Sequence, residues 1–458
     1  MKVKVRLFQI AICVLMVMSL VACSASQEYK FKYESDAVLQ DSLKAVPAYP
    51  ETNFVVFSDP HVYDPSLGTE GKAFENYLAS DRKLLRESTE ILEAAIAAIK
   101  NEKASIVLVP GDMTKDGELS SHQLVISYLK QLEASGKQVY VVPGNHDIKN
   151  GHSFKYVGDT AERVPNITPA EFVDMYGDFG YKEALYRDTA SLSYVAEPQS
   201  GLWLLALDSC RYAENVENEA PITDGKFSTA TMQWIEDMLE KATTEKKAVI
   251  VMVHHGVVEH YVGQEKNFGE YLLDDFPAVS RLLATYNVRL VFTGHYHAQD
   301  ITLARWSKPD KFIFDIETGS LVTYPAPYRI VSIDATQKAA IRTKHVESIR
   351  SHPNDFQEYA RAYVQSGIEG IATRAIMGYK VNQAEAEKLA GQVAQAFLAH
   401  YAGDEYLPAG QEAMQTSGLS IPGWVVVNFR KNLVIGLWHD LPPPDNNVTI
   451  DLKTGSWQ

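Results

Sequence analysis

Five short apolar runs in this sequence end in side chains that bind metal ions. "VVFSDPH" ends in Asp59 and His61, and "VLVPGD" in Asp112. "VVPGNHD" ends in Asn145, His146 and Asp147, "VIVMVHH" in His254 and His255, and "LVFTGHYH" in His295 and His297. Residues two apart in a strand share a face, so Asp59 with His61, and His295 with His297, can each send two donors to one side if the strand geometry persists. Pro-Gly turns stop two of the runs, which leaves the polar side chains at carboxyl ends, where α/β folds keep their chemistry. Carboxylate, imidazole and amide donors without thiolate favour Mn, Fe or Zn over a structural zinc–cysteine site. Taken singly, such features are ordinary: a His-x-His often lies on a surface strand, and Gly-Asp recurs by chance. Five in series are not.

The elements that must position these residues alternate strand and helix from Asn53 onward, the pattern of an α/β fold. Strand "NFVVFSD" is followed by one long helical stretch, "YLASDRKLLRESTEILEAAIAAIKNEK", in which Leu85, Ile91, Leu92, Ala95, Ile96 and Ile99 keep helical spacing. Strand "SIVLVPGD", helix "LSSHQLVISYLKQLEAS" and strand "QVYVVPGNHD" complete two successive crossovers. Parallel strands joined this way bring their carboxyl ends to one edge. After an irregular insertion from Asn150 to Tyr186, further strands and helices lead to "VRLVFTGHYH", "KFIFDIET" and "YRIVSID". The pattern predicts a catalytic domain over residues 51–347 and a mainly helical region over 348–458.

With 458 residues and 46% hydrophobic content, the chain can bury a large core. A formal net charge of −15 argues against nucleic-acid binding, which needs clustered Lys and Arg. At the start, Lys2, Lys4 and Arg6 precede an apolar run from Ile10 to Leu20, which reads as a signal peptide over residues 1–22. The run is brief for a bilayer span. Leu20-Val21-Ala22-Cys23 resembles a bacterial lipobox, so Cys23 is expected to carry lipid and residues 23–50 to tether an exported, membrane-anchored protein to the cell envelope. Cys210 is then the one cysteine left in the folded part, which excludes an internal disulfide there.

In this order and at strand ends, "DPH", "GD", "GNHD", "HH" and "GHYH" resemble the motif set of the calcineurin-like metallophosphoesterase superfamily, from Asp59 to His297. The likeness extends to exported bacterial members with a long insertion after "PGNHD" and a C-terminal extension. It implies a β-sandwich of two mixed sheets flanked by helices, a C-terminal mainly helical appendage, and two divalent or trivalent metal ions (Mn, Fe or Zn). It also implies that Asp59, His61 and His297 bind one metal, that Asn145, His254 and His295 bind the other, and that Asp112 bridges them. His255 is the weaker candidate of its pair. His146 would contact the phosphoryl group or protonate the leaving oxygen, and Asp147 would orient His146 or a metal ligand. Two cations about 3.5 Å apart activate a bridging water or hydroxide and stabilise an in-line displacement at phosphorus.

The implied activity is hydrolysis of a small phosphate ester, with a diester favoured. A phosphomonoesterase, or a non-catalytic surface binding protein on the same fold, are the alternatives, and the filling of all seven ligand positions favours the hydrolase. Lys115 in "GDMTK" stands where purple acid phosphatases carry a Tyr, and the "DRG" and "GNHE" patterns of protein serine/threonine phosphatases are absent. His122 reads as a helix-surface residue or a support to the site, and Tyr63 and Asp64 as loop residues. Tyr296 should point into the core. His152, His260, His345, His352, His400 and His439 have no ligand-like neighbour in sequence and read as structural.

Overall fold

The apolar runs assemble into two mixed β-sheets. The computed structural model describes residues 29–307 and 310–458, so the signal-like segment and Cys23 lie outside the described residues. In the first sheet the order is Asn447–Asp451, Lys338–His345, Pro327–Ile333, Thr52–Val56, Ile106–Val109, Gln138–Val141. Its last three strands are parallel and in register, Val56 opposite Leu108 and Leu108 opposite Tyr140. The second sheet runs Asp300–Ser307, Asp310–Glu317, Leu290–Thr293, Ala248–Val253, Leu202–Leu207, Tyr194–Gln199, Tyr186–Arg187. Ala248–Val253 lies parallel to both neighbours.

The two sheets face each other across one core, where Phe54 meets Phe292 edge-on at 5.1 Å between ring centroids. Helices Ser88–Lys100 and Leu119–Ala134 pack on the first sheet, and Thr229–Thr244 and Phe276–Thr285 on the second. This is the flanked sandwich that the resemblance implies. Strands buried on both faces read as continuous apolar runs, which is why they are legible.

Three segments depart from the sequence reading. The long helix is broken: Lys72–Leu78 ends, and Ser88–Lys100 begins after nine intervening residues. Between them Asp81 accepts the N–H groups of Arg82 and Lys83 at 2.6 and 3.1 Å, while Leu84 N–H donates to the Val322 carbonyl at 2.7 Å. Leu85 is buried with Tyr63, Phe74 and Tyr156 rather than on a helix face. Helical spacing persists through the break because those apolar residues are buried for another reason.

The stretch before Glu51 is also more than a tether from Tyr29 onward. Phe31, Leu39 and Leu43 are buried against the second sheet's helices, and Lys32 N–H and Tyr29 hydroxyl both donate to the Glu236 carboxylate. Tyr49 is buried and donates to the Val249 carbonyl at 2.9 Å. Lastly, the C-terminal region contains helices Phe356–Met377, Gln383–Ala402 and Ile421–Leu437, then returns strand Asn447–Asp451 to the edge of the first sheet. The buried Arg329 guanidinium fastens this return, donating to the carbonyls of Asp300, Glu317 and Asp445.

Candidate metal centre

The carboxyl ends of three neighbouring strands of the first sheet and two of the second bring the candidate ligands together, but the strand geometry does not persist to them. Thr52–Val56 and Leu290–Thr293 end before Asp59 and His295, and Asp59, His61, Asp112, His295 and His297 all have positive φ, between 38° and 76°. Non-glycine residues in the left-handed region cost roughly 1–3 kcal/mol each and cluster where function requires them. The pairs converge through these turns, not through period-two alternation. The turns are tied together: Asp59 N–H donates to the Gly111 carbonyl, His61 N–H to that of Asp112, and Gly294 N–H to that of His254. At Gly111, with φ +106°, a Cβ would meet His254 Nδ1 at 2.6 Å and Gly144 N at 2.8 Å, so glycine is required there.

Two donor groups result. His61 Nε2 and His297 Nε2 stand 3.0 Å apart, and Asp59 Oδ1 lies 3.8 and 3.5 Å from them. Across from these, His254 Nε2 is 3.2 Å from Asn145 Oδ1, and His295 joins His254 and Asp112 with donor atoms within 4.8 Å. Asp112 Oδ2 faces both groups, 3.5 Å from His61 Nε2 and 3.4 Å from His254 Nε2. Bonds of about 2.1 Å from one ion to two donors set those donors about 3.0 Å apart at a right angle and about 3.4 Å apart at the tetrahedral angle. The observed separations, 3.0 to 3.8 Å, lie within that range or a few tenths of an ångström beyond it, so the residues suit two ions sharing Asp112. All seven side chains are buried.

Three of the four imidazoles are in the charge state this fit needs, and the fourth, His254, shares its proton with Asp112 where an ion would stand. Burial, reinforced by nearby cationic groups, holds His61 and His295 well below the ordinary imidazole value, and burial lowers His297 too; these rings are neutral, the form that donates a lone pair. Burial pulls His254 down as well, but Asp112 beside it more than offsets this and pushes it up to about 9. Burial opposes ionisation of Asp112, yet His254, His146 and His61 outweigh it and hold the carboxyl well below its usual range.

A family profile for calcineurin-like phosphoesterases matches residues 52–299, over half the chain and all seven donors. The chain belongs to this family. Members are dimetal-dependent phosphoesterases, and this phosphoesterase carries the buried Asp, His and Asn side chains that can hold the ions. No curated protein matches it. Solved structures similar to it include a dimetal phosphatase from Danio rerio, at 16% identity and TM-score 0.46, covering 65% of this chain and 97% of that one. A purple acid phosphatase from yellow lupin (Lupinus luteus) seeds is similar at 14% identity and TM-score 0.40, covering 66% and 54%. The sulfate thiohydrolase SoxB of Thermus thermophilus, in complex with glycerol, is similar at 14% identity and TM-score 0.34, covering 71% and 61%.

The remaining site residues of the phosphoesterase divide by what they touch. His146 is the more open imidazole, its side chain 22% exposed and its ring 4.9 Å from that of His61. Its Nδ1 lies 2.9 Å from Asp116 Oδ1, so Asp116, and not Asp147, orients it. Asp147 instead accepts the N–H groups of Met113, Thr114 and Gly144, which braces the two loops that carry Asp112 and Asn145. His255 is engaged at both nitrogens, with Ser209 Oγ at 2.7 Å and the Thr223 carbonyl at 2.8 Å, and is no ligand. His122 is buried, not on the surface, bonded to Tyr176 hydroxyl and the Asp147 carbonyl.

Asp116, Arg82 and Lys83 escaped the sequence reading. Asp116 lies four residues past Asp112, and "PGDMTKD" does hold the signal in a second acid on the same loop. Arg82 and Lys83 were concealed by the apparent helix; Lys83 is buried and acts on His61, His146 and His297 by its charge. Tyr63 is buried and Asp64 caps the turn Pro65–Leu67, while Tyr296 packs into the core as expected. His260 and His400 pair with Asp300 and Glu405, at 2.8 and 2.7 Å, partners that are distant in sequence or on another element.

Proposed function

We propose that the chain hydrolyses phosphodiesters at the surface of a bacterial cell, held there by lipid on Cys23 and using two ions of Mn, Fe or Zn. The observation that carries the hydrolase reading is one carboxylate, Asp112, facing two buried donor groups, with a solvent-reachable His146 beside them. When bound, the ions activate water and neutralise charge that develops on the phosphoryl oxygens.

The chain's own residues supply the rest. Burial and Lys83 pull the proton affinity of His146 down, but Asp112 and Asp116 more than restore it and raise it above the ordinary imidazole value, which favours the protonated ring. It can therefore hold a phosphoryl oxygen or deliver a proton to the leaving oxygen. Asp116 fixes the ring so that Nε2 is the atom free for the substrate. Lys83 adds positive charge at the centre, which suits an anionic ester. The diester preference rests on likeness to other "GNHD" proteins, and the envelope location on the lipobox-like Cys23.

The test is turnover of a chromogenic phosphodiester and the matching monoester by protein stripped of metal and reloaded with Mn, with Asp112→Asn alongside. Metal-dependent turnover that is lost in the variant is expected, faster on the diester. Equal activity of Asp112→Asn would sink the hydrolase reading, and a faster monoester would overturn the diester preference. Cys23→Ser should release the protein from the membrane fraction; retention there refutes the anchor.

A further inference from the structure

Beside the metal centre lies a cavity of about 480 Å³, within the span of about 300–1,000 Å³ in which proteins enclose small organic ligands. Its walls come from the three C-terminal helices, through Ile368, Ala372, Phe397, Val426, Leu433 and Val434. One side of it abuts the metal centre. Tyr271 lines the cavity and packs on His295, with ring centroids 4.6 Å apart, and Tyr296 lines it from between the two ligands His295 and His297. Arg82 stands in the same wall, its Nε donating to Tyr401 hydroxyl at 2.7 Å, and its charge reaches His297. A second cation, Arg430, lines the cavity from the last helix and is exposed.

We infer that this cavity takes the alkyl chain of an amphiphilic phosphate ester whose phosphoryl group sits at the metal centre; the inference rests on the phosphoesterase reading above. An occupant must suit a mostly apolar wall that meets two guanidinium groups and lies against an anion-binding centre. The wall offers few partners to the polar groups of a nucleoside or sugar, and two of its hydroxyls are already engaged, Tyr296 with Tyr261 and Tyr401 with Arg82. An alkyl chain loses nothing of that kind and gains from burial. Arg82 and Arg430 complement the anionic head of such a molecule.

The test uses the full metal-loaded protein and p-nitrophenyl alkyl phosphates from ethyl to decyl, below their micelle concentrations. Water adds to phosphorus, the bond from phosphorus to the nitrophenolate oxygen breaks, and the alkyl phosphate and p-nitrophenol leave. Burial of each methylene should raise kcat/KM by about two- to fourfold until the cavity is full. Ala372→Trp, which fills the cavity, should flatten that slope, and Leu433→Glu serves as a second variant should the first not fold.

Binding of ethyl- and decylphosphonate is measured in parallel, because it does not depend on turnover. Tighter binding of the decyl compound, lost in either variant, supports the inference even if no ester is cleaved, in which case the hydrolase reading alone falls. Hydrolysis and phosphonate binding that are both indifferent to chain length overturn it and leave the hydrolase reading standing. Comparing the decyl ester in phosphatidylcholine vesicles with the free ester distinguishes a bilayer from solution as its source.

Discussion

Replacing Asp116 by Asn removes one charge and keeps the shape, which isolates what that carboxylate does for His146. The 2.9 Å contact between Asp116 Oδ1 and His146 Nδ1 is charge-assisted, and Asp116 is itself held ionised: burial opposes this, but Lys115 and His146 outweigh it. A hydrogen bond to a charged group contributes about 1.5–3 kcal/mol against about 0.5–1.5 kcal/mol for a neutral one, so the substitution should cost the imidazolium about 1.4 kcal/mol. That is about one pH unit in its proton affinity. The sign follows from the direction: Asp116 raises the pKa of His146, so the variant loses its acid form at lower pH. The alkaline limb of kcat/KM should move down by about one unit for an ester with a poor alkoxide leaving group. At a pH above both limbs, the loss should be about tenfold. With p-nitrophenolate, which leaves without a proton, the loss should be small. The assay is a pair of pH–rate profiles on the two esters, with metal content and a melting curve as checks, because Lys115 also relies on Asp116 and keeps Glu118 at 3.5 Å. Equal losses on both esters, or an alkaline limb that does not move, would refute the acid role of His146.

Two other expectations concern the scaffold. Phe292→Ala opens a cavity opposite Phe54 between the sheets and should lower stability by about 3–5 kcal/mol, read as a shift in denaturant midpoint, while the metal content of the folded fraction stays at parent level. Burial pushes Glu317 up to about 8 against the opposing His260, so the folded state keeps a proton that the unfolded state releases near pH 4.5. Stability attributable to this group therefore falls as pH rises from about 4.5 to 8, by up to about 1.4 kcal/mol per unit. Glu317→Gln, which can still accept from Ala298 N–H, should remove that slope in melts taken from pH 5 to 8, and an unchanged slope contradicts the assignment.

The seven candidate metal donors were legible because each ends a run that is apolar on both faces, and because Pro and Gly mark where each strand stops. Asp112, Asn145 and His254 needed no more than that. The left-handed turns at Asp59, His61, His295 and His297 were not legible, since Asp and His also occupy ordinary backbone conformations and period two gave the same ligands by a different path. The break at 79–87 was concealed by apolar residues that keep helical spacing while serving another cluster. Residues 29–49 looked like a linker because a segment that buries three or four side chains leaves no period to read.

What the sequence determined by itself is therefore the reaction centre: which side chains, in which order, at the ends of which strands. Local chemistry suffices for that, because turn residues and apolar runs act over a few positions. Tertiary structure alone decided what surrounds the centre. The contact from Asp116 to His146, the approach of Arg82 and Lys83, the return of Asn447–Asp451 to the first sheet and the cavity behind Tyr271 all join residues whose proximity is created by folding. No periodicity encodes the cavity that Tyr271 and Leu433 share, or the contact between Arg329 and Asp445; each follows from packing that the whole chain settles together.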